Sequence, residues 1–560
     1  MASSIPDSEP STRRPSALDP LRHPVFRAVW LASLASNLGG LIQSVGASWM
    51  MMSMAKSADM VALVSASTTL PIMLLSLAAG AIADNLDRRL VMIAAQFFML
   101  VVSVLLSICA WAGLLSPWLL LLFTFLIGCG AAFNSPAWQA SVGEMVPRND
   151  LPHAITLNGM SFNLARSVGP AIGGLIVAAA GAATAFAINA VSYVALLVVL
   201  ARWKPERAAR ALPPERLMVA MSAGVRYVAM SPNICAVLLR GATFGLAAGA
   251  IPALTPLVAR DLIGGGPSIY GLLLGAFGIG GVMGAFSSRR LRGALSTETL
   301  VRGASIGLGF AAAVCGLSPW LALTFPVIMI AGGCWVLALS TLNVTVQMSA
   351  PRWVVARALA LYQMATFGGL ALGSWAWGLV AEGHGVGLAL CASGAMHAVC
   401  ALIGLRFPLP QIEDLNLDPI NQWKEPQVAV PIEPLSGPVV ITLEYRIRPE
   451  DILEFLTVMS ERRRIRRRDG ARHWTLLRDL SDPEVWVERY HTPTWVEYVR
   501  HNRRITQADA VVGARIHSLH QGDGPPKVHR MIERQTGSLP SGSVLRPREI
   551  SEPLVDPAQS

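Results

Sequence analysis

From residue 26 to residue 406 long apolar runs alternate with short polar turns, and no other stretch of the chain behaves this way. Runs of about twenty residues with almost no charge match the hydrocarbon thickness of a bilayer, so each predicts a membrane-spanning helix. Twelve spans are expected, at about 26–53, 60–83, 90–113, 117–138, 156–180, 182–202, 234–258, 268–288, 297–316, 320–343, 358–381 and 386–406. The fifth begins in polar sequence and carries Arg166. After the last span the pattern changes. Residues 408–436 form a proline-punctuated linker. VVITLEYRI then alternates as a strand, PEDILEFLTVMSERRRIRRR runs at helical spacing, and ARHWTLLRD and EVWVERYH read as strands around the turn LSDP. TWVEYVRHNRRITQADA is a second helix, and KVHRMIER can close a sheet. The order β-α-β-β-α-β predicts a small ferredoxin-like domain.

The polar turns between spans carry a topology signal. One set holds Arg13, Arg14, Arg22, Arg27, Arg88, Arg89, Arg148, Arg202, Lys204, Arg207, Arg210, Arg216, Arg289, Arg290, Arg292, Arg352 and Arg357; the other has only Lys56 and Arg260. The positive-inside rule puts both termini in the cytoplasm, as an even number of spans requires. The halves also repeat. At an offset of 204 residues Gly80-Ala81 meets Gly284-Ala285, Gly128 meets Gly332, and Pro147-Arg148 meets Pro351-Arg352; Leu157 meets Leu361, Met160 meets Met364, Gly169 meets Gly373 and Gly174 meets Gly378. A shared offset across several helices and loops marks two six-span halves of the same orientation.

Composition agrees with this division. Of 560 residues 53% are hydrophobic and only 14% charged, and the mean hydropathy is +0.49. The net charge of +10 is almost wholly arginine, since Lys56, Lys204, Lys424 and Lys527 are the only lysines. All seven cysteines fall inside apolar runs with no CxxC pair, so they read as buried thiols, with no disulfide or metal site expected. The N-terminal segment lacks an apolar core and does not read as a signal peptide. GK occurs nowhere, which removes a Walker A loop and argues against ATP-driven pumping within this polypeptide. No cofactor is expected.

Two stretches carry most of the functional signal. Gly80, Asp84, Asp87, Arg88 and Arg89 form a charged turn after the second span. Gly169, Pro170, Gly173 and Gly174 follow Arg166 in the fifth, where the glycines permit tight helix packing and the proline removes a backbone donor. Two parallel six-helix halves with GxxxDxxxRR after the second span resemble the major facilitator superfamily of secondary transporters. NLARSVGPAIGG, residues 163–174, is similar to the fifth-helix motif of its drug and siderophore exporters. The reading D-x-x-D-R-R points towards the branch that contains the enterobactin exporter. The resemblance covers residues 22–407. It implies that Gly80 brings the second helix close to a neighbour, that Asp84 accepts from or pairs with one, and that these contacts lock the outward-facing state. It also implies that the fifth-helix glycines seal the pathway when the protein faces inward.

Four departures qualify that resemblance: Asp87 stands where the usual loop has glycine, Ala165 replaces the leading glycine of the fifth-helix motif, Ser288 replaces the acid in the second-half loop, and Thr124 replaces a fourth-helix arginine commonly linked to proton transfer. The embedded charges are Arg166 and Arg240. They either snorkel to the interface or line an inner vestibule that attracts an anionic substrate. Asn37, Gln43, Ser44, Trp49, Asn134, Asn189 and Asn343 are cavity candidates, with interhelical hydrogen bonding as the alternative.

These readings make the chain an all-α polytopic membrane protein of twelve transmembrane helices in two parallel six-helix halves, plus a small α+β ferredoxin-like cytoplasmic domain. The segments are a disordered cytoplasmic tail (1–24), an N-terminal half (25–203), a linker with a surface helix (204–232), a C-terminal half (233–407), a second linker (408–436), the ferredoxin-like domain (437–535) and a disordered tail (536–560). The expected function is secondary export of a small amphipathic molecule across the bacterial inner membrane, driven by protons. The alternative is a membrane-tethered enzyme or sensor whose C-terminal domain carries the activity; His473, Trp474, Tyr490, His491 and His501 are present there, but no nucleophile–base or metal spacing stands out, and no enzyme is expected. That domain resembles the dimeric antibiotic-biosynthesis-monooxygenase type, which implies self-association. The run Arg462–Arg468 is expected to lie beside anionic lipid, and no nucleic-acid partner is expected.

Overall fold

In the computed structural model the described residues are 19–533, less Lys56, 148–149, 205–216, Arg352, 411–416, 418–419, 421–422, Lys424, Gln427, Pro431 and Asp523. The side chains of Asp84, Asn85, Pro152, Thr156, Asn163, Leu217, Ala220 and Arg289 also lie outside the description. Both expected terminal tails, apart from residues 19–24, therefore fall outside it.

The membrane body begins with α1 (Pro24–Met54), α2 (Ala58–Asn85), α3 (Arg88–Trp111), α4 (Pro117–Met145), α5 (Leu151–Ala180) and α6 (Ala182–Arg202). A short helix, α7 (Leu217–Ala229), precedes the second set: α8 (Pro232–Ala248), α9 (Ala250–Leu257), α10 (Pro267–Ala294), α11 (Thr297–Leu317), α12 (Leu321–Ser349), α13 (Val355–His384) and α14 (Val386–Arg406). α8 and α9 run on through a π-helical turn (Val258–Leu262) as one span, so twelve helices are long and apolar enough to cross a membrane. α5 starts five residues before its predicted edge, because Asp150 and the Leu151-Pro152 step open it ahead of the apolar run.

The 204-residue offset carries into the packing. Gly128 of α4 lies on α2, where an added methyl would sit 3.0 Å from the Thr68 carbonyl oxygen; its counterpart Gly332 of α12 lies on α10, against Phe277 and Gly281. Gly169 of α5 meets Leu41 of α1, and Gly373 of α13 meets Leu246 of α8. Gly174 meets α10 of the other half, and Gly378 meets α2 of the other half. Small residues at equivalent positions thus set equivalent helix crossings, as lipid-embedded helices need where burial of apolar surface gives no drive.

The C-terminal domain comprises β1 (Val439–Arg446), α15 (Ile452–Arg468), β2 (Arg472–Arg478), β3 (Val485–Thr492), α16 (Trp495–Arg503), α17 (Gln507–Leu519) and β4 (Lys527–Ile532). The antiparallel sheet has the order β2-β3-β1-β4, with Ile441 opposite Tyr490 and Leu443 opposite Glu488. This is the ferredoxin-like arrangement, except that two helices fill the second crossover, where Thr506 and Asp509 form a capping box that starts α17. Ile441, Leu443, Tyr445 and Tyr490 pack on Phe455, Val458 and Met459 of α15 to make the core.

The chain divides into two compact units. One contains residues up to 217, 238–343 and 360–409; the other contains residues 218–237, 344–359 and the chain from 410. The C-terminal domain shares its unit with α7 and the segment before α13. Within this unit the Arg504 guanidinium lies 4.1 Å over the Trp353 ring and that of Arg468 lies 4.9 Å over Tyr227. Tyr227 and Trp353 meet edge to face at 5.3 Å, and Arg226 Nε donates to the Arg468 carbonyl at 3.4 Å.

Candidate functional site

Where the two halves face each other, a cavity of about 160 Å³ is lined by Ser44 and Ser48 of α1, Ser65 and Thr68 of α2, Arg166 and Pro170 of α5, Thr255 of α9, Tyr270 and Phe277 of α10, and Ile328 of α12, among others. Six helices from both halves thus supply the wall. The fifth-helix motif continues from Pro170 towards one end of this wall. Gly169 and Gly173 pack on α1, while a methyl group at Gly174 would lie 2.7 Å from the Pro267 carbonyl oxygen and 2.8 Å from the Gly271 Cα. Only glycine at both positions allows α5 and α10 to touch there. The same end is fastened again by Glu382 of α13, whose carboxylate accepts from the backbone N–H of Ala58 at the start of α2. The motif glycines therefore serve two neighbours, α1 and α10.

The cavity's polar groups are hydroxyls and one guanidinium; none of its lining residues is an acid. Several hydroxyls are already committed: Ser44 donates to Leu41 O at 2.7 Å, Ser65 to Pro252 O at 3.3 Å and Thr68 to Ser65 O at 2.8 Å. Arg166 lies mid-way along α5. Its guanidinium stands 5.6 Å from the Phe277 ring centre and 5.8 Å from that of Trp335. Arg166 thus lies on the cavity wall.

Arg240 is different. It donates to the Cys400 carbonyl at 2.8 Å and pairs with Glu298 at 3.2 Å, tying α8, α11 and α14 together. It is no part of the cavity wall, because its charge is already neutralised inside the C-terminal half. Gln43 is likewise structural: Ser103 donates to its Oε1 at 3.1 Å, and Asn189 donates to the same oxygen and to Tyr193 at 3.1 Å. This knot joins α1, α3 and α6. Asn37, Trp49, Asn134 and Asn343 are not among the lining residues; Trp49 packs into the hydrophobic core. The sequence reading overlooked Tyr270, Thr255 and the Ser65/Thr68 pair. A visible signal was the hydroxyl spacing, three or four residues apart on α1 and α2, which puts each pair on one helical face.

The charged turn is a brace in this conformation. Asp87 caps α3 by accepting from Arg89 N at 3.0 Å. Arg88 pairs with Glu144 at 2.7 Å and donates to Ala140 O at 2.9 Å, linking the start of α3 to α4. Arg89 donates to the Leu200 and Ala201 carbonyls at 2.8 and 2.7 Å, closing the C-terminus of α6. Gly80 departs from expectation: among the described residues an added methyl would meet nothing within 4 Å. Its counterpart Gly284 makes the close contact, against Gly333 of α12. The Asp84 side chain lies outside the described residues. Thr124 is buried, donating to Leu121 O at 2.9 Å and lying 2.7 Å from Ser67 Oγ, so an uncharged helix contact occupies the place of the family arginine.

In the C-terminal domain, Glu488 is fully buried between Arg462 and Arg466, and it accepts from Trp474 Nε1 at 3.0 Å and Tyr445 OH at 2.9 Å. Arg466 also contacts His501 Nε2 at 2.8 Å and lies over Tyr490. Burial works to raise the Glu488 pKa, but the two arginines hold its carboxyl below the usual range. A carboxylate so thoroughly paired is a polar core, not a poised base. The arginine run is correspondingly not all available to lipid, since Arg466 is spent here and Arg468 pairs with Asp469 and Asp509. The His473 and His491 rings meet edge to face at 5.4 Å, and no group of three metal-ligating side chains occurs among the described residues.

A two-half helical bundle with a cavity between the halves defines a membrane transporter. Residues 15–536 match the family described as transmembrane secretion effector, and the chain belongs to that family within the major facilitator superfamily. It is 27% identical over 418 residues to the multidrug efflux pump Tap of Mycolicibacterium fortuitum, covering 70% of this chain and 96% of the pump. It is 26% identical over 358 residues to the enterobactin exporter EntS of Citrobacter koseri, covering 63% of this chain and 84% of that protein. Among solved structures, the bundle matches a bacterial homologue of the human lysosomal transporter Spinster (TM-score 0.55, 14% identity, 69% of this chain and 97% of that one). It also matches the nucleoside transporter NupG (TM-score 0.54, 12% identity, 68% and 98%).

Proposed function

We propose that this protein is a secondary exporter that moves a small amphipathic molecule out of the cell by alternating access, with both termini in the cytoplasm and protons as the driving ion. The observation that carries the reading is the mostly apolar, hydroxyl-dotted cavity walled by both halves. The efflux pump and siderophore exporter among its relatives support the direction and the size of the cargo. In this conformation the fifth-helix glycines hold one end shut, and the open face of Gly80 is where the charged turn would meet the other half when the opposite end closes. The exposed side chains of Leu477 and Met531 on the sheet face opposite α15 support self-association.

Everted membrane vesicles test the proposal. Energised vesicles containing the protein should accumulate at least one member of a panel of amphipathic acids, bases and neutral compounds, and a protonophore should abolish the uptake. Uptake equal to that of empty vesicles for the whole panel would sink the exporter; uptake indifferent to the protonophore would sink the proton.

A further inference from the structure

The cavity holds a cation with nothing to neutralise it. Among the described residues no acid pairs with Arg166, and its only described contacts of note are the two aromatic faces. Arginine cannot shed its proton, so the charge persists in a region where an embedded cation is costly and is normally paired or turned to water. Cation–π contact offsets part of that cost and leaves the five N–H donors of the guanidinium unspent.

A second donor sits alongside. Trp335 is 6% exposed, its ring adjoins both Arg166 and Phe277, and its indole N–H meets no acceptor among the described residues. A buried indole N–H normally finds a partner. The serine and threonine hydroxyls nearby do not resolve either shortage, because they donate to backbone carbonyls of their own helices or of α9. The site therefore offers donors and positive charge, with aromatic rings at hand, and lacks an acceptor that carries negative charge.

We infer that the central cavity selects an organic monoanion with a flat, apolar body, held by Arg166 through its acidic group. One guanidinium matches one carboxylate or similar oxyanion in a bidentate pair. Phe277, on the cavity wall, then flanks the apolar body, with the Trp335 ring behind it and Arg166. Amphipathic bases are excluded by the same charge, since a cation brought beside Arg166 meets repulsion with no acid to offset it. The inference rests on the exporter reading of this cavity and adds the charge of the cargo.

The test uses full-length protein in phosphatidylcholine nanodiscs and three matched probes: 1-naphthoate, 1-naphthamide and 1-naphthylmethylamine. Calorimetry should show saturable naphthoate binding at least tenfold tighter than that of the amide or amine. Arg166→Gln should raise the naphthoate Kd at least tenfold and leave the amide within twofold, and Arg166→Lys should fall between. Equal or tighter binding of the amine to the unmodified protein overturns the inference whether or not any variant folds. A naphthoate Kd unchanged in a folded Arg166→Gln protein overturns it as well. Nanodiscs with about a third anionic phosphatidylglycerol separate the two sources of oxyanion: loss of naphthoate binding there would assign the arginine to a lipid headgroup and overturn the substrate claim. Arg166-dependent naphthoate binding without vesicle uptake of any probe would leave the anion site standing and remove the exporter; uptake of the amine alone would do the reverse.

Discussion

At the scale of single residues, the C-terminal domain carries its clearest pH signature in two buried groups of opposite effect. Burial, helped by Arg466, holds the His501 pKa well below its ordinary 6.5. The folded chain therefore resists a proton that the unfolded chain accepts, and the stability His501 supports is full above pH 6.5 and lost as pH falls below it. Asp469 works the other way. Burial pushes its carboxyl up from 3.8 to about 6 against the pull of Arg468, so its contribution grows as pH falls through 6 towards 3.8. Replacing His501 by Gln, which keeps an acceptor for Arg466, removes the acid-labile term and leaves Asp469. Hydrogen exchange of α16 in the full-length protein, corrected for intrinsic rates, should show protection rising between pH 7 and pH 5 in His501→Gln, while the unmodified protein gains none. Equal behaviour of the two would sink this account. Single residues were also where sequence reading failed most. Arg166 and Arg240 look alike as lone charges in apolar runs, yet one faces a cavity and the other is neutralised by Glu298, more than fifty residues away in the chain. Which of the two meets a partner depends on helix rotation within the bundle, and local sequence does not encode that.

Elements were far more legible, because a bilayer imposes length and apolarity on every span regardless of its neighbours. The strands and helices of the C-terminal domain were legible for a similar reason: a two-layer α/β domain shows a period of two on its strands and helical spacing on its helices. What the pattern did not show is that this domain is joined to α7 and the segment before α13, since the joint consists of arginines and aromatics that look like ordinary surface residues in a linear chain. Arg504 is only 7% exposed, and its stacking on Trp353 is desolvated, a setting in which a cation–π contact is worth about 2 kcal/mol. Because 1.4 kcal/mol is a factor of ten, Arg504→Ala should speed hydrogen exchange in α7 by roughly ten- to thirtyfold through a shifted opening equilibrium. Arg504→Lys should retain part of the protection. Exchange in α7 that ignores both substitutions would mean the joint is held elsewhere.

At the scale of the whole molecule, the repeat turns one mechanical argument into a matched pair. Gly174 and Gly378 stand 204 residues apart, one in each half, and each touches the opposite half at the same end of the bundle. A methyl at Gly174 would sit 2.8 Å from the Gly271 Cα, and one at Gly378 would sit 3.0 Å from the Asp59 Cα. Both obstacles are backbone, which cannot step aside as a flexible side chain can. Valine at either position should wedge this end open, favour the opposite state, and lower vesicle uptake at least tenfold with normal membrane expression. Gly80 provides the contrast, because a side chain there meets nothing within 4 Å in this state. Gly80→Val should therefore leave the thermal midpoint of the purified protein unchanged and still reduce uptake, since the turn it belongs to would be needed only when the other end closes. If Gly174→Val and Gly378→Val transport normally, closure at this end does not depend on the pseudo-symmetric glycine contacts. If Gly80→Val alone transports normally, the charged turn is a brace among α3, α4 and α6, and the gate must be sought elsewhere.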